Sequence, residues 1–258
     1  MNVIWAIATV VLRELYRRKD FYVLFILTAL LTLLMGSMNF LSDDRTVGYL
    51  KELCLLLIWI SSLVIAITTT ARQIPSERES RTLFPLLAKP VTRGQVVLGK
   101  FLGCWLACGL CLVVFYLFFG VVSGAREHAW PLASYFQALW LHWFVLAIIV
   151  AMALGGSLVF AAPSSNATIC FVVSMGILLV GRHLNKVAMS MAEPAQSLVY
   201  AIYFAIPHLE LFDVRDLVIH NWAPIGWGYW ALATVYAAAY AALFVTGTWL
   251  LFRRKALH

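Results

Sequence analysis

The chain has 258 residues, of which 63% are apolar and only 12% are charged. Because a soluble domain carries roughly 25% charged residues, this composition excludes a soluble enzyme, a disordered chain and a disulfide-rich secreted module. It indicates an integral membrane protein with several spans, whose net charge of +7 is typical of basic cytoplasmic loops rather than of nucleic-acid binding.

The N-terminal residues 1–20 predict a helix that lies along the membrane surface. They contain an apolar run from Val3 to Leu12, and no small-residue cleavage site follows it, which argues against a removed signal peptide. The run is followed instead by four basic residues: Arg13, Arg17, Arg18 and Lys19. An apolar stripe beside basic side chains favours an interfacial helix, with a plain cytoplasmic tail as the alternative.

Six apolar segments are predicted to cross the membrane, since a spanning helix needs about 20 apolar residues. They are residues 21–41, 53–71, 101–122, 135–162, 167–181 and 230–252. The fourth and fifth spans come from one stretch without Asp, Glu, Lys or Arg, residues 128–181, which a turn signal interrupts at Pro163-Ser164-Ser165-Asn166. The prediction is an all-α integral membrane protein that forms a single transmembrane domain over residues 1–258.

The distribution of basic residues predicts the orientation of these spans. With six spans, the N-terminus, residues 72–100 and the C-terminus share one side of the membrane, which holds 13 of the 19 Lys and Arg residues. The positive-inside rule places that side in the cytoplasm. We therefore expect a multi-pass protein with both termini in the cytoplasm.

The opposite side of the membrane is predicted to carry a long external segment, residues 182–229. It contains the run Leu198–Ile206, which is apolar but too short to cross a membrane and which stops at Pro207. Short apolar stretches of this kind are typical of re-entrant or interfacial helices. We predict a re-entrant segment before the sixth span.

The cytoplasmic connection between spans two and three, residues 72–100, has the pattern of a short helix. Ser76 followed by Glu79 fits a capping box at its start, and Pro90 ends it. Three leucines at helical spacing give it one apolar edge: Leu83, Leu86 and Leu87. An apolar patch between charged residues is typical of a docking site, although a solvated surface helix fits the same pattern. Thr92 begins a second amphipathic piece that runs into span three.

This connection resembles the signature of the permease subunits of type-2 ABC transporters. The matching residues are Glu77-Arg78-Glu79-Ser80-x-Thr82-Leu83, Leu86-Leu87-x-x-Pro90-Val91-x-Arg93 and Leu98-Gly99-Lys100. The external stretch of residues 206–212 is also similar to members of that family. The subgroup that the chain most resembles is the exporter group named for multicopper-enzyme maturation, whose members share the order of elements predicted above.

The resemblance implies that residues 72–100 contain a coupling helix, which docks on a separate ABC ATPase subunit. The coupling residues that it implies are Glu77, Arg78, Glu79, Thr82, Leu83, Leu86, Leu87, Pro90 and Arg93. ATP and Mg²⁺ would belong to that partner, so no cofactor is expected in this chain. The other implied partners are membrane lipids and a second copy or a related permease, and the implied location is a bacterial plasma (inner) membrane.

Other patterns in the chain favour packing over chemistry. Gly94-x-x-x-x-Gly99-Lys100 matches part of a phosphate-binding loop, but Phe101 follows where a magnesium-binding Ser or Thr is required. Gly99-x-x-x-Gly103 instead favours close helix packing. We predict no catalytic residues, because the spans contain neither a nucleophile motif nor a carboxylate pair. The absence of acids from the spans also argues against a proton-coupled carrier.

Two sets of residues stay open as weaker candidates for a site. Cys104, Cys108 and Cys111 share one helical face and could hold Cu(I), although cysteine also packs as a small apolar residue, and we predict no metal site. His142 and Asn39 could line a substrate path or form hydrogen bonds between helices.

The predicted function is that of an exporter permease that a partner ATPase powers through alternating access. The rival is a non-transporting membrane module, such as an assembly factor or a sensor, whose cytoplasmic helix binds a partner protein. The lack of charged residues in the spans favours an amphipathic or lipid-like cargo.

Overall fold

The computed structural model describes residues 3–16, 19–37, 44–79 and 91–254, and within these ranges every regular element is helical. In chain order the elements are α1 (Val3–Tyr16), α2 (Lys19–Ser37), α3 (Asp44–Ala71), α4 (Gln73–Glu79), α5 (Arg93–Glu127), α6 (Leu132–Val159), α7 (Pro163–Ser190), α8 (Ala195–Ala205), a 3₁₀ turn (Leu209–Phe212), α9 (Arg215–Ile219) and α10 (Trp227–Arg254).

Within the described ranges, five helical stretches are long and apolar enough to cross a membrane. They are Gly48–Glu79, Arg93–Glu127, Leu132–Val159, Pro163–Gly181 and Trp227–Arg254. A sixth is formed if α8 and residues 209–219, which meet at a bend of 45°, count as one broken or re-entrant element. The apolar part of α2, Tyr22–Leu34, is shorter. The prediction of an all-α integral membrane protein is confirmed, while the number and limits of the spans stay predictions.

Several helices extend beyond the predicted apolar segments, because helical hydrogen bonding does not stop where the hydrocarbon layer ends. α5 is longer than the predicted segment 101–122, and α7 is longer than the predicted segment 167–181. The turn predicted at residues 163–166 is wrong: these residues form the first turn of α7, and residues 160–162 make the turn. Proline is favoured in a first helical turn, where its missing amide hydrogen is not needed.

α4 continues α3 after a single turn residue, Arg72. The predicted capping box at Ser76 is wrong, because Ser76 lies inside α4 and its amide donates to the carbonyl of Arg72 at 3.0 Å. Pro75 is accommodated in the first turn of α4. A capping box occurs instead at the start of α5, where the Gln95 amide donates to the Thr92 hydroxyl at 3.3 Å and the Thr92 amide donates to the Gln95 side chain at 2.9 Å.

α6 forms the centre of the bundle. It packs most extensively along α10, and it also packs against α3 and α5. The residues of its middle turns, 144–151, are all buried, so every face of the helix is covered there. A helix that is buried on every face is continuously apolar in sequence, which is why α6 contains no charged side chain.

A reciprocal tryptophan pair joins α5 to α6. The rings of Trp105 and Trp143 stack with their centroids 4.6 Å apart, and each indole N–H donates to the backbone carbonyl of the other residue, at 2.9 and 3.0 Å. Gly109 makes room for this pair, since a Cβ there would lie 2.5 Å from Nε1 of Trp143. Both indole donors are thereby satisfied inside the bundle, where an unpaired donor is costly.

α1 lies along the first half of α5, and two glycines of α5 allow the close approach. A Cβ on Gly99 would lie 2.8 Å from the Cβ of Ile7, and a Cβ on Gly103 would lie 2.8 Å from the Cβ of Val11. The interpretation of Gly99-x-x-x-Gly103 as a helix-packing motif is thus confirmed.

Gly103→Ala is expected to lower the thermal stability of the protein. The new methyl group would also lie 3.0 Å from the Cα of Ala8. α1 or α5 must therefore shift, at a cost of about 1–3 kcal/mol. Gly176→Ala is the matched control, because a Cβ there meets nothing within 4 Å. Thermal unfolding of the purified variants in detergent measures the difference, and equal midpoints would contradict the packing argument.

Candidate functional site

The two ends of the bundle differ in their chemistry. One end, which we call the basic end, carries α4, the start of α5 and the end of α10 with Arg253 and Arg254. The other, which we call the loop end, carries the end of α5 and residues 191–226. The described residues of the predicted coupling set, 77–79 and 93, belong to the basic end.

Lys100 of α5 lies at the centre of a buried polar network at the basic end. Its side chain is only 2% exposed, and its ammonium group donates to the Glu77 carboxylate at 2.7 Å. It also donates to the backbone and side-chain oxygens of Gln73, at 3.1 and 3.3 Å. A buried ammonium needs such partners, because it has lost its hydration and carries three donors. Lys100 therefore holds α4 at two points.

The same network extends to α1. The side-chain amide of Gln73 donates to the Glu14 carboxylate at 3.3 Å, in addition to the contact of Gln73 with Lys100. Three helices, α1, α4 and α5, therefore meet around one buried cation. Glu77, which the resemblance implies for coupling, is a direct member of this network.

The structure describes part of the predicted coupling set. Glu77, Arg78 and Glu79 lie on α4, where Glu79 is exposed and the other two are half-buried. Arg93 lies at the start of α5, and its guanidinium donates to the carbonyl of Phe252 at 2.7 Å, so that it caps the end of α10. The other members fall outside the described residues: Thr82, Leu83, Leu86, Leu87 and Pro90.

An open groove of about 700 Å³ lies between α4 and the start of α7. Arg72, Ser76 and Glu79 line one side of it, and Ser164 and Thr168 line the other. Polar and charged walls of this kind suit contact with a protein or with water rather than with lipid chains. The described start of the predicted coupling segment therefore forms one wall of the groove.

The loop end contains a second buried lysine. Lys51 of α3 is 1% exposed, pairs with Glu127 at the end of α5 at 2.6 Å, and also donates to the carbonyl of Val218 on α9 at 3.4 Å. The Glu127 carboxylate further accepts a hydrogen bond from Asn221 at 3.1 Å. One ion pair therefore connects two long helices to the loop-end segment.

A cavity of about 290 Å³ opens between α3, α7 and the 3₁₀ turn of the loop end. Its walls are mainly apolar and include Trp59. Three charged side chains line its loop-end side: Glu210, Asp213 and Arg215. Arg215 binds Asp213 through two hydrogen bonds of 2.7 and 2.9 Å, and its guanidinium lies 5.7 Å from the ring centre of Trp59.

His142 lies one layer behind this cavity. Its ring stacks on Trp59 with the centroids 4.4 Å apart, and its nitrogens Nε2 and Nδ1 lie 2.8 and 3.4 Å from the hydroxyls of Ser62 and Tyr116. Both ring nitrogens are thus within hydrogen-bond distance of side chains on other helices. Of the two roles that the sequence left open, this geometry favours hydrogen bonding between helices. Asn39 is outside the described residues.

The cysteines pack as apolar residues in the part of the chain that the structure describes. Cys104, Cys108 and Cys111 are buried, form no disulfide and belong to the main apolar core. No group of three His, Cys, Asp or Glu side chains in the described ranges is placed to hold a metal ion. The Cu(I) alternative therefore finds no support in the geometry.

The sequence interpretation missed the partners of both buried lysines and the charged lining of the cavity. In the sequence, Lys100 is the last residue of a motif, and Lys51 belongs to no motif. A signal existed for both, because a lysine at the edge of an apolar span requires an acid at a similar depth. No local signal identifies Glu210 as a cavity residue, since its neighbours on α3 and α7 are distant in sequence.

Comparison with known proteins identifies one family and two relatives. The family described as "ABC-2 family transporter protein" matches residues 5–256. Two proteins named "Probable ABC transporter permease protein NosY" are similar over 122 residues, one from Pseudomonas aeruginosa at 33% identity and one from Stutzerimonas stutzeri at 30%. Each similar region covers 44% of this chain and 43% of the relative, so the chain spans less than half the length of the curated relatives that it matches.

The family match is far more extensive than the similarity to these relatives. It extends from α1 to the end of α10 and so includes both ends of the bundle. The same family is the one that the residues of the predicted coupling segment resemble. The chain belongs to the ABC-2 family of transporter proteins.

Proposed function

We propose that this chain is the membrane-spanning permease subunit of an ABC exporter that a separate ATPase subunit powers. The protein would lie in a bacterial plasma (inner) membrane with both termini in the cytoplasm, which makes the basic end cytoplasmic. ATP and Mg²⁺ would bind to the partner subunit. The permease names of the two relatives support this proposal.

The observation that carries the proposal is the attachment of α4 to the bundle. Residues 73–79 begin the predicted coupling segment, and Lys100 joins them to α5 by three hydrogen bonds. Movement of this segment would therefore reach a membrane-spanning helix directly. The polar groove beside α4 offers a surface for the ATPase, where Arg72 and Glu79 would orient the partner.

The mechanism that we propose uses two permease copies, identical or related, and two ATPase subunits. ATP binding closes the ATPase pair and displaces the two coupling segments. Rigid-body motion of the two helical bundles then exposes the cargo to alternate sides of the membrane. This chain supplies docking, rigidity and a cargo path, and the partner supplies the chemistry of ATP hydrolysis.

Copurification with a coexpressed candidate ABC ATPase tests the docking role. Glu79→Lys combined with Leu83→Asp reverses a charge and removes an apolar contact of the predicted docking surface, so we expect the ATPase to be lost from the purified complex. Glu193→Lys, at an exposed position of the loop end, is the control and should copurify normally. Unchanged copurification of the double variant would contradict the proposal.

ATPase activity of the same complex in lipid separates export from the rival assembly or sensor role. An exporter is expected to hydrolyse ATP faster when its cargo is present. Amphipathic and lipid-like compounds are the first candidates to screen, because the predicted spans carry no charged residues. A bound ATPase that no compound stimulates would favour the rival role.

A further inference from the structure

The cavity at the loop end combines an apolar pocket with a charged rim. Trp59 closes its inner side, because the ring is stacked on the buried His142. Leu56 and Ile60 line it and are themselves 40% and 36% exposed, so the cavity opens sideways, away from the core of the bundle. A volume of about 290 Å³ lies at the lower limit of ligand pockets and suits a segment of alkyl chain rather than a large polar solute.

The three charged side chains at the rim are not equivalent. Arg215 and Asp213 bind each other through two hydrogen bonds, and the guanidinium also lies over Trp59. The Oε2 atom of Glu210 is buried, and within the described part of the chain it accepts no hydrogen bond. A buried carboxylate oxygen without a donor is costly, and within the described residues Glu210 also forms no ion pair. The rim therefore carries one negative charge that a cation from outside the chain would balance.

The neighbouring backbone does not provide that donor. A Cβ at Gly181 would lie 2.7 Å from Oε2 of Glu210, so the carboxylate packs directly against α7. The backbone amides in the middle of an α-helix are already bonded to carbonyls four residues earlier. Oε2 is therefore enclosed by α7, and a cationic donor in the cavity has to reach the other carboxylate oxygen, Oε1.

We infer that this cavity binds an amphiphile that carries a protonated primary amine on an apolar chain. The ammonium group pairs with Glu210 through a charge-assisted hydrogen bond, and the chain lies against the apolar walls of α3 and α7. An anionic head group is disfavoured, because the rim holds two acids and one base. The binding of this amphiphile does not depend on the export function proposed above. Its identification as the transported cargo does depend on that function.

Tryptophan quenching tests this inference on the full chain without the ATPase. The probes are dodecylamine, dodecanol and dodecanoate, each with a terminal bromine, in nanodiscs of phosphatidylcholine, which has no primary amine. The part of the quenching that disappears in Trp59→Phe reports the cavity. We expect the amine to bind about tenfold more tightly than the alcohol, as one charge-assisted hydrogen bond allows.

Glu210→Gln keeps the shape of the side chain, removes its charge, and should reduce the affinity for the amine to that for the alcohol. Glu193→Gln, at an exposed carboxylate of the loop end, is the matched control and should change nothing. Equal quenching by amine and alcohol in the unaltered protein would overturn the inference. Tight amine binding that survives Glu210→Gln would also overturn it.

Nanodiscs that contain phosphatidylethanolamine distinguish two sources of the amine. If this lipid weakens binding of the amine probe, the occupant is an ethanolamine lipid of the surrounding bilayer. If this lipid leaves binding of the amine probe unchanged, the occupant is a separate amine amphiphile. Either outcome supports a site that binds a primary amine. A permease that binds the amine but fails to copurify with the ATPase would contradict the proposed function and leave this binding site intact.

Discussion

Lys100→Met is expected to disconnect ATP hydrolysis from movement of the permease while the complex stays assembled. Methionine fills the buried space but cannot bond to Gln73 or Glu77, so α4 loses its attachment to α5. The Glu77 side chain is 29% exposed, so the carboxylate keeps partial access to water, and the cost in folding is smaller than for a fully buried pair. The predicted docking residues are unchanged, so the ATPase should still copurify.

Cysteine labelling at the loop end measures this loss of coupling. All five native cysteines are buried, so Leu211→Cys, at a position that is 55% exposed, adds an accessible thiol. With Lys100 present, ATP should change the labelling rate of this thiol by about fivefold or more, the lower range of typical coupling. In Lys100→Met the rate should not respond to ATP, whereas the exposed Lys186→Met should behave as the unaltered chain. If ATP still changed the labelling rate in Lys100→Met to the same extent, the coupling role of this lysine would be contradicted.

Glu127→Gln is expected to destabilise the protein more than Lys51→Met, although both variants break the same ion pair. The Lys51 side chain is 1% exposed and the Glu127 side chain 21%. In Glu127→Gln the remaining ammonium group therefore has almost no access to water, whereas in Lys51→Met the remaining carboxylate has some. Glu127→Gln should cost about 3 kcal/mol, as buried pairs do when one member is removed. Lys51→Met should cost less, because Asn221 still donates to the remaining carboxylate.

Thermal unfolding in detergent gives the order of these variants. The double variant Lys51→Met, Glu127→Gln should be more stable than Glu127→Gln alone, because the ammonium group that lost its acid is also removed. Equal melting temperatures for the two single variants would show that the burial of Lys51 does not decide the strength of the pair. A double variant that is the least stable of the three would also show that the burial of Lys51 does not decide the strength of the pair.

The helical membrane fold could be predicted because its signals are local. Long apolar segments fit spanning helices whatever their neighbours are, and Thr92 was identified as the start of the piece that leads into α5. The ends of helices depend on more than local pattern. Ser76 is of a residue type that caps helices. However, α3 ends at Ala71 and α4 already begins at Gln73, so Ser76 lies inside a helix.

The contacts of the candidate sites could not be predicted from the sequence, because they join distant parts of the chain. The acid that pairs with Lys51 is 76 residues away, and the carbonyl of Val218 is 167 residues away. No spacing rule covers such distances, and the positions follow from how α3, α5 and the loop-end segment pack. By contrast, Glu77 and Lys100 lie within one predicted segment, yet the helical geometry of α4 was needed to show that they meet.

α5 runs without a break from Arg93 to Glu127 and takes part in the ion pairs of both buried lysines. At about 1.5 Å per residue, roughly 40 Å separate Lys100 from Glu127, which exceeds the hydrocarbon thickness of a bilayer. A continuous helix of this length behaves as a stiff mechanical strut. An axial displacement of α4 is therefore expected to shift α9, at the loop end, without a relay of small side-chain rearrangements between them.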